Sequence, residues 1–291
     1  MAVTGDTQLG PTKMELISEI AQRALISNSV LAGSVRDVSQ FARKGVDQIS
    51  FPKNSTLFTV ENRASAAAAT IQDVDFLKDT LALDQNAIIA WLIDSHDEME
   101  SSLDVQREYI ERAAREHAAD VDRKIIAEME SFGIPTTTAG AAITQDIVLE
   151  MRQVLLQNKA NPRNLWLAVS PANEANLLKI DPFVSAEKYG RAIIPTGVLG
   201  TLYGVNVVMT PELDGDEYFM YESEGFALGF QMRPTFDEDK RPEYGAGAML
   251  QVLDQKYGVK ALQVDVPNAF AADGTTALSG ESALIVKDNN A

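Results

Sequence analysis

The sequence predicts an α+β fold organised around one long helix. Three observations carry that reading. An uninterrupted amphipathic stretch runs from Ser95 to about Phe132. Two extended limbs, 48–62 and 71–93, flank a run of small residues from Ala64 to Thr70. Beyond Gly133, short apolar strands alternate with capped helices.

The long helix has the clearest pattern. Ser95-His96-Asp97-Glu98 fits a capping box, in which Ser and Glu each satisfy a free backbone N–H of the first turn. No Gly or Pro interrupts it before Gly133, which stands where a left-handed C-cap residue belongs, and Pro135 prevents it from resuming. Met99, Leu103, Ile110, Ala114, Val121, Ile125, Met129 and Phe132 recur mostly three or four apart and predict one buried stripe. Within it, Leu103, Ile110, Val121 and Ile125 are the expected core of the helix. Glu108–Arg112, Glu111–Arg115 and Asp120–Lys124 have the spacing of stabilising ion pairs. At 1.5 Å per residue the helix spans roughly 55 Å. A compact globule of this chain length is only about 50 Å across. An elongated subunit is therefore expected rather than a spherical enzyme.

The other elements follow in order. Residues 1–11 carry no pattern. Thr12-Lys13-Met14-Glu15 is a second capping box, and Leu16, Ile17, Ile20, Ala21, Ala24 and Leu25 behind it predict a short helix over roughly 13–26. In the first limb, Leu57, Thr59 and Glu61 alternate with Phe58, Val60 and Asn62. The two limbs together resemble a long projecting hairpin. An isolated two-stranded hairpin is barely stable in water, so a neighbouring subunit is expected to support this one. Thr144 caps a helix carrying Ile147, Met151 and Leu155, which ends before Pro162. Leu165–Val169 reads as a central strand, and Ser170-Pro171 starts a further helix leading to Leu177 and Leu178. Val205–Met209, Glu217–Glu222 and Phe226–Met232 read as strands, and 246–264 as an extended run with a turn near Gly258. The tail after Val266 has little pattern.

Composition limits the function classes. The chain has 291 residues, 45% of them hydrophobic, and no cysteine, which removes disulfides, thiolate metal sites and a cysteine nucleophile. The net charge of −17 leaves no basic footprint for reading nucleic acid. The opening MAVTGDTQLG has neither the basic nor the apolar region of a secretory leader, and no apolar run is long enough to span a membrane. Asn54-Ser55-Thr56 matches a glycosylation sequon by pattern alone.

No candidate for chemistry converges. His96 and His117 both fall on the long helix; His96 pairs with Glu100 at i,i+4 without a third ligand, and a solvated helix face is expected for both. Ser185-Ala186-Glu187-Lys188 matches S-x-x-K without its companion motifs. Gly197, Gly200 and Gly204 precede a strand rather than opening a helix, so they serve turns and not phosphates. No catalytic residue, metal site or cofactor is expected.

The order of these parts resembles the major capsid proteins of tailed bacteriophages, the Hong Kong 97 fold. The residues that carry the likeness are the helix in "LIDSHDEMESSLDVQREYIERAAREHAADVDRKI", the strand–helix–turn–strand of Asn164–Pro211, and the late strand Lys256–Leu262. The resemblance implies an N-terminal arm (1–47), an extended loop (48–93), a peripheral domain with the spine helix (94–142) and return strands (237–270), an axial domain (143–236) and a C-terminal tail (271–291). It implies that Lys53, Arg63, Asp73 and Lys78 on the loop, and Gly197, Gly200 and Tyr203 in the axial domain, contact neighbouring subunits. It further implies assembly with itself into hexamers and pentamers, with scaffold, portal and decoration proteins as further partners, and a shell formed in the host cytoplasm around packaged DNA, without sequence-specific binding. An encapsulin-type compartment and, more remotely, a soluble α/β enzyme stay open at this point.

Overall fold

The computed structural model describes residues 18, 21–22, 29–54, 60, 62, 71, 76–93, 104–136, 142–178, 198–245, 248–262 and 282–288. In chain order they form strands β1 (Arg36–Asp37), β2 (Gln48–Asn54), β3 (Phe76–Ala82) and β4 (Gln85–Ile93), then helix α1 (Asp104–Phe132). Next come β5 (Ile134–Pro135), α2 (Gln145–Gln157), β6 (Leu165–Val169) and α3 (Pro171–Leu177). The chain ends through β7 (Val198–Leu202), β8 (Val205–Met209), β9 (Tyr218–Glu222), β10 (Phe226–Lys240), β11 (Met249–Ala261) and β12 (Ile285–Lys287).

These elements divide into two compact units. The first comprises Met1–Asp47, Ala82–Ala127 and Leu228–Val259. Its sheet has the order β1-β10-β11-β4, with β4 antiparallel to β11 in a continuous register from Met249↔Ile93 to Tyr257↔Gln85. Side chains of a strand alternate between faces. One face of β4 therefore carries Ile89 and Trp91 onto a cluster with Ile110, Ala113 and Ala114 of α1, Phe236 of β10 and Leu253 of β11. Ile110, Ala114 and Val121 are buried along the helix.

The second unit comprises Gln48–Leu81, Glu128–Ala227 and Lys260–Ala291. Its mixed sheet has the order β5-β12-β9-β6-β8-β7. Strand β6 is interior, parallel to β8 and antiparallel to β9, as its wholly apolar sequence predicts. Helix α2 packs Ile147, Met151 and Leu155 against Leu165, Leu167, Val207 and Met220 of that sheet. Its N-cap is Thr144, whose hydroxyl accepts from Ile147 N–H, and Ser170 caps α3 the same way through Asn173 N–H.

The described helix begins at Asp104; the capping box expected at Ser95, with Met99 and Leu103, lies outside the described residues. The structure departs from the sequence reading in four places. Gly133 is not left-handed: a Cβ there would sit 2.6 Å from Met129 O, so the glycine provides room for the strand that follows. There is no turn at Gly258, because β11 runs straight through it. Of the two limbs, the described strands β2 and β3 pair with each other, and β4, at the end of the second limb, pairs with β11 instead. Finally, the patternless tail supplies β12, which inserts between β5 and β9. Of the short N-terminal helix, residues 18, 21 and 22 are described and helical.

Candidate functional site

Beneath the first unit's sheet lies a polar seam between α1 and β11. His117 is buried rather than solvated, and its Nε2 faces Leu253 O at 3.2 Å. Gln255 Nε2 donates to His117 O at 3.3 Å, and Trp91 Nε1 donates to Gln251 Oε1 at 2.8 Å. Asp120, expected to pair with Lys124, instead accepts from Tyr257 Oη at 2.6 Å. Burial lowers the His117 pKa, against the pull of Leu253 O, Asp120 and Asp254. The imidazole is enclosed by backbone and amide groups, and among the described residues no second metal ligand stands beside it. Among the described residues no group of His, Asp and Glu could hold a metal ion.

A second feature sits one helical turn further on. Asp122 is 3% exposed and accepts from Ser29 Oγ at 2.7 Å, Val30 N at 3.0 Å and Leu31 N at 3.2 Å. Burial pushes its carboxyl up to about 6, with these hydrogen bonds opposing. The sequence reading missed this anchor. Its signal was an acid beside the apolar stripe, four residues after Ala118 and four before Ile126, both of which are buried.

The remaining features are surfaces. Strand β4 is an edge of nine uncharged residues, and its outer face presents Ile88 (61% exposed) and Leu92 (42%). Between β2 and β3 in sequence, Val60 and Ile71 are 91% and 95% exposed.

The expected contact residues fall as follows. Lys53 lies in β2 and Lys78, exposed, in β3. Arg63, Asp73 and Gly197 lie outside the described residues. Gly200 sits at φ 146° where the β7–β8 register shifts, and Tyr203 (φ 51°) with Gly204 (φ 79°) closes that hairpin. Two consecutive positive φ values make the tight turn that matches strand twist. A tyrosine there carries a cost of about 1–2 kcal/mol, and its contact with the core of the second unit offsets this.

No family model matches this chain, and no curated protein matches its sequence. Solved structures do. A chain of Mycobacterium phage Che8 superposes with a TM-score of 0.67 at 18% identity, over 90% of this chain and 91% of that one. A chain from the mature capsid of bacteriophage PhiM1 gives 0.63 at 12%, over 91% and 88%. This chain has the Hong Kong 97 capsid fold. The virus-like particle from Pyrococcus furiosus also matches, with a TM-score of 0.61 at 10% identity, over 95% of this chain and 99% of that one. No helix among the described residues is long and apolar enough to cross a membrane.

Proposed function

We propose that this chain is a major capsid protein, a structural and not a catalytic subunit, which self-assembles into the icosahedral shell of a tailed bacteriophage and encloses double-stranded DNA. The observation that carries the reading is the match of nearly the whole chain to phage structures of nearly the same length. A domain borrowed by an enzyme would cover part of its relatives. The bare Val60, Ile71 and Ile88 support it, because a shell subunit buries such residues only against its neighbours.

In this reading the chain forms hexamers and pentamers in the host cytoplasm, with scaffold and portal as assembly partners and decoration proteins as additions to the outside. The segments are an arm (1–47), an extended loop (48–93), a peripheral domain (94–142 and 237–270), an axial domain (143–236) and a tail (271–291). Lys53, Arg63, Asp73, Lys78, Gly197, Gly200 and Tyr203 are its contact residues. The net charge of −17 leaves enclosed DNA repelled and mobile rather than bound.

Electron microscopy of the purified protein tests the function. Closed shells are expected, and a small oligomer under every assembly condition overturns the reading. Particles from infected cells that hold protein cargo instead of nucleic acid favour a compartment like an encapsulin. Deleting residues 62–70 is expected to leave a folded, soluble chain that forms no stable shell.

A further inference from the structure

Among the described residues, strand β4 is paired on one side only, with β11. Its nine residues, Gln85–Ile93, include no charge and no proline, and their register to β11 has no bulge. Those are the features that ordinarily protect an edge, because a bare row of N–H and C=O groups templates another strand. The outer face of β4 carries Asn86, Ile88, Ala90 and Leu92, all exposed. Leu250 and Val252 of β11 lie opposite Leu92 and Ala90 and widen the apolar strip.

Helix α1 runs antiparallel to this edge. Ile89 and Trp91 join the cluster of Ile110, Ala113 and Ala114, whereas Tyr257, opposite Gln85, donates to Asp120. A groove of about 460 Å³ lies between the Gln85–Ile89 half of the edge and the helix, lined there by Glu116, Asp120, Arg123 and Lys124 among others. Arg112 and Tyr109 precede Glu116 by one and two turns on the same side of the helix. Tyr109 is a bare aromatic, 47% exposed. Arg112 and Glu116 are engaged only in exposed pairs, with Glu108 and Arg123, and such pairs hold weakly. In a chain of net charge −17 this side of the helix carries as many bases (Arg112, Arg123, Lys124) as acids (Glu108, Glu116, Asp120).

We propose that β4 is a two-fold contact, on which β4 of a second copy of this chain adds antiparallel and centred on Ala90. A two-fold axis perpendicular to the sheet keeps the outer faces together, so even-numbered residues must stand opposite even-numbered ones. Centring on Ala90 sets Ile88 of each copy opposite Leu92 of the other and joins both apolar strips. Centring on Ile89 or Trp91 instead spends one of the two large residues on Ala90 and leaves the other opposite Asn86 or past the end of the strand. The same axis sets α1 antiparallel to its copy. Arg112, on the Trp91 side of the axis, then comes against Glu116 of the second copy, on the Ile89 side. Ile93 of the second copy stands opposite Ala87, where the groove has room for it. Main-chain pairing supplies the adhesion and these side chains the register. The contact closes on itself, so the edge is used up in a dimer and cannot build a filament.

The absence of cysteine makes a direct test possible, because any introduced thiol is unique. Facing Cα atoms of an antiparallel pair are about 4.5–5.5 Å apart, within reach of a disulfide. The full chain with Ala90→Cys, mildly oxidised, is expected to run on a non-reducing denaturing gel at twice the 31.7 kDa of the subunit. Asn86→Cys is expected to stay a single chain, because this register puts the two copies of residue 86 roughly 26 Å apart. Adding Arg112→Glu slows the Ala90→Cys crosslink about tenfold, since each exchange acts twice across the axis, and Glu116→Arg in the same chain restores it. No crosslink through Ala90→Cys, or an equal one through Asn86→Cys, overturns the pairing. A crosslink that Arg112→Glu leaves unchanged, or that Glu116→Arg does not restore, overturns the placement of the helices. Shells from the parent without the Ala90→Cys crosslink overturn this contact alone, and the crosslink without shells supports it while overturning the shell reading.

Discussion

Gly258 is fixed by a neighbour's backbone. A Cβ at that position would lie 2.1 Å from Ala82 O and 3.0 Å from Ala82 C, and main chain cannot step aside as a side-chain tip can. Gly258→Ala is expected to cost about 2–3 kcal/mol through overpacking, read as a lower urea midpoint at unchanged slope. An unchanged midpoint would mean that β11 and the Ala82–Leu83 segment are not in this contact. His117 and Asp122, five residues apart on α1, predict pH effects of opposite sign. The folded His117 pKa lies below its ordinary value of 6.5, so the unfolded chain takes up the proton first. Its contribution is intact above neutral pH and is lost as pH falls below 6.5. The folded Asp122 pKa, about 6, lies above its ordinary 3.8, so its contribution is present at acid pH and is lost as pH rises through 6. Denaturation from pH 7 to 4 should show the parent losing stability relative to His117→Asn and gaining it relative to Asp122→Asn. Slopes of the same sign in both comparisons would refute the pair.

At the scale of elements, the two units are held by different means. The helices of the second unit are begun locally, by Thr144 and by Ser170 with Pro171, and each cap contributes about 1 kcal/mol. Its sheet is completed from far away in sequence. Strand β12 pairs Val286 with Ile134 on one side and with Met220 on the other, and its side chains join the core. Ending the chain at Ser282 would leave the edges of β5 and β9 without a partner and remove Leu284 and Val286 from that core. The expected product has no cooperative unfolding transition and binds a hydrophobic dye. A soluble product that melts like the parent would show that β12 is dispensable. The first unit instead depends on the length of α1, whose apolar side and polar seam face the sheet together.

At the scale of the molecule, the proposed shell is held without covalent bonds between subunits. A self-formed Lys–Asn bond needs a loop lysine, a neighbour's asparagine and a carboxylate in an apolar pocket as proton acceptor. Lys53 and Lys78 lie in β2 and β3, not at Arg63–Thr70, and the candidate Asn268 lies outside the described residues. Adhesion then comes from apolar area such as Val60, Ile71 and Ile88, repeated at every interface. Mature particles boiled in detergent should run as a single band near 31.7 kDa. A ladder of multimers that survives boiling would overturn this.

The sequence by itself determined the elements whose causes are local. The caps at Thr144 and Ser170, the apolar run of β6 and the spacing of Ile110, Ala114, Val121 and Ile125 are each set within a few turns of chain. The order of those elements was enough to suggest the capsid fold. Tertiary structure alone decided what depends on distant partners. Gly133 and Gly258 look like turn residues until the backbone they must clear is in place. His117 and Asp120 look like surface groups until β11 covers them, and Asp122 has no visible role until Ser29, Val30 and Leu31 reach it. Residues 285–287 carry too few side chains to announce a strand, and become one by pairing with β5 on one side and β9 on the other. A capping bond joins residues three apart, and its pattern is written in consecutive letters. A contact across more than ninety residues leaves no such pattern, because any of many residues of the same type could have made it.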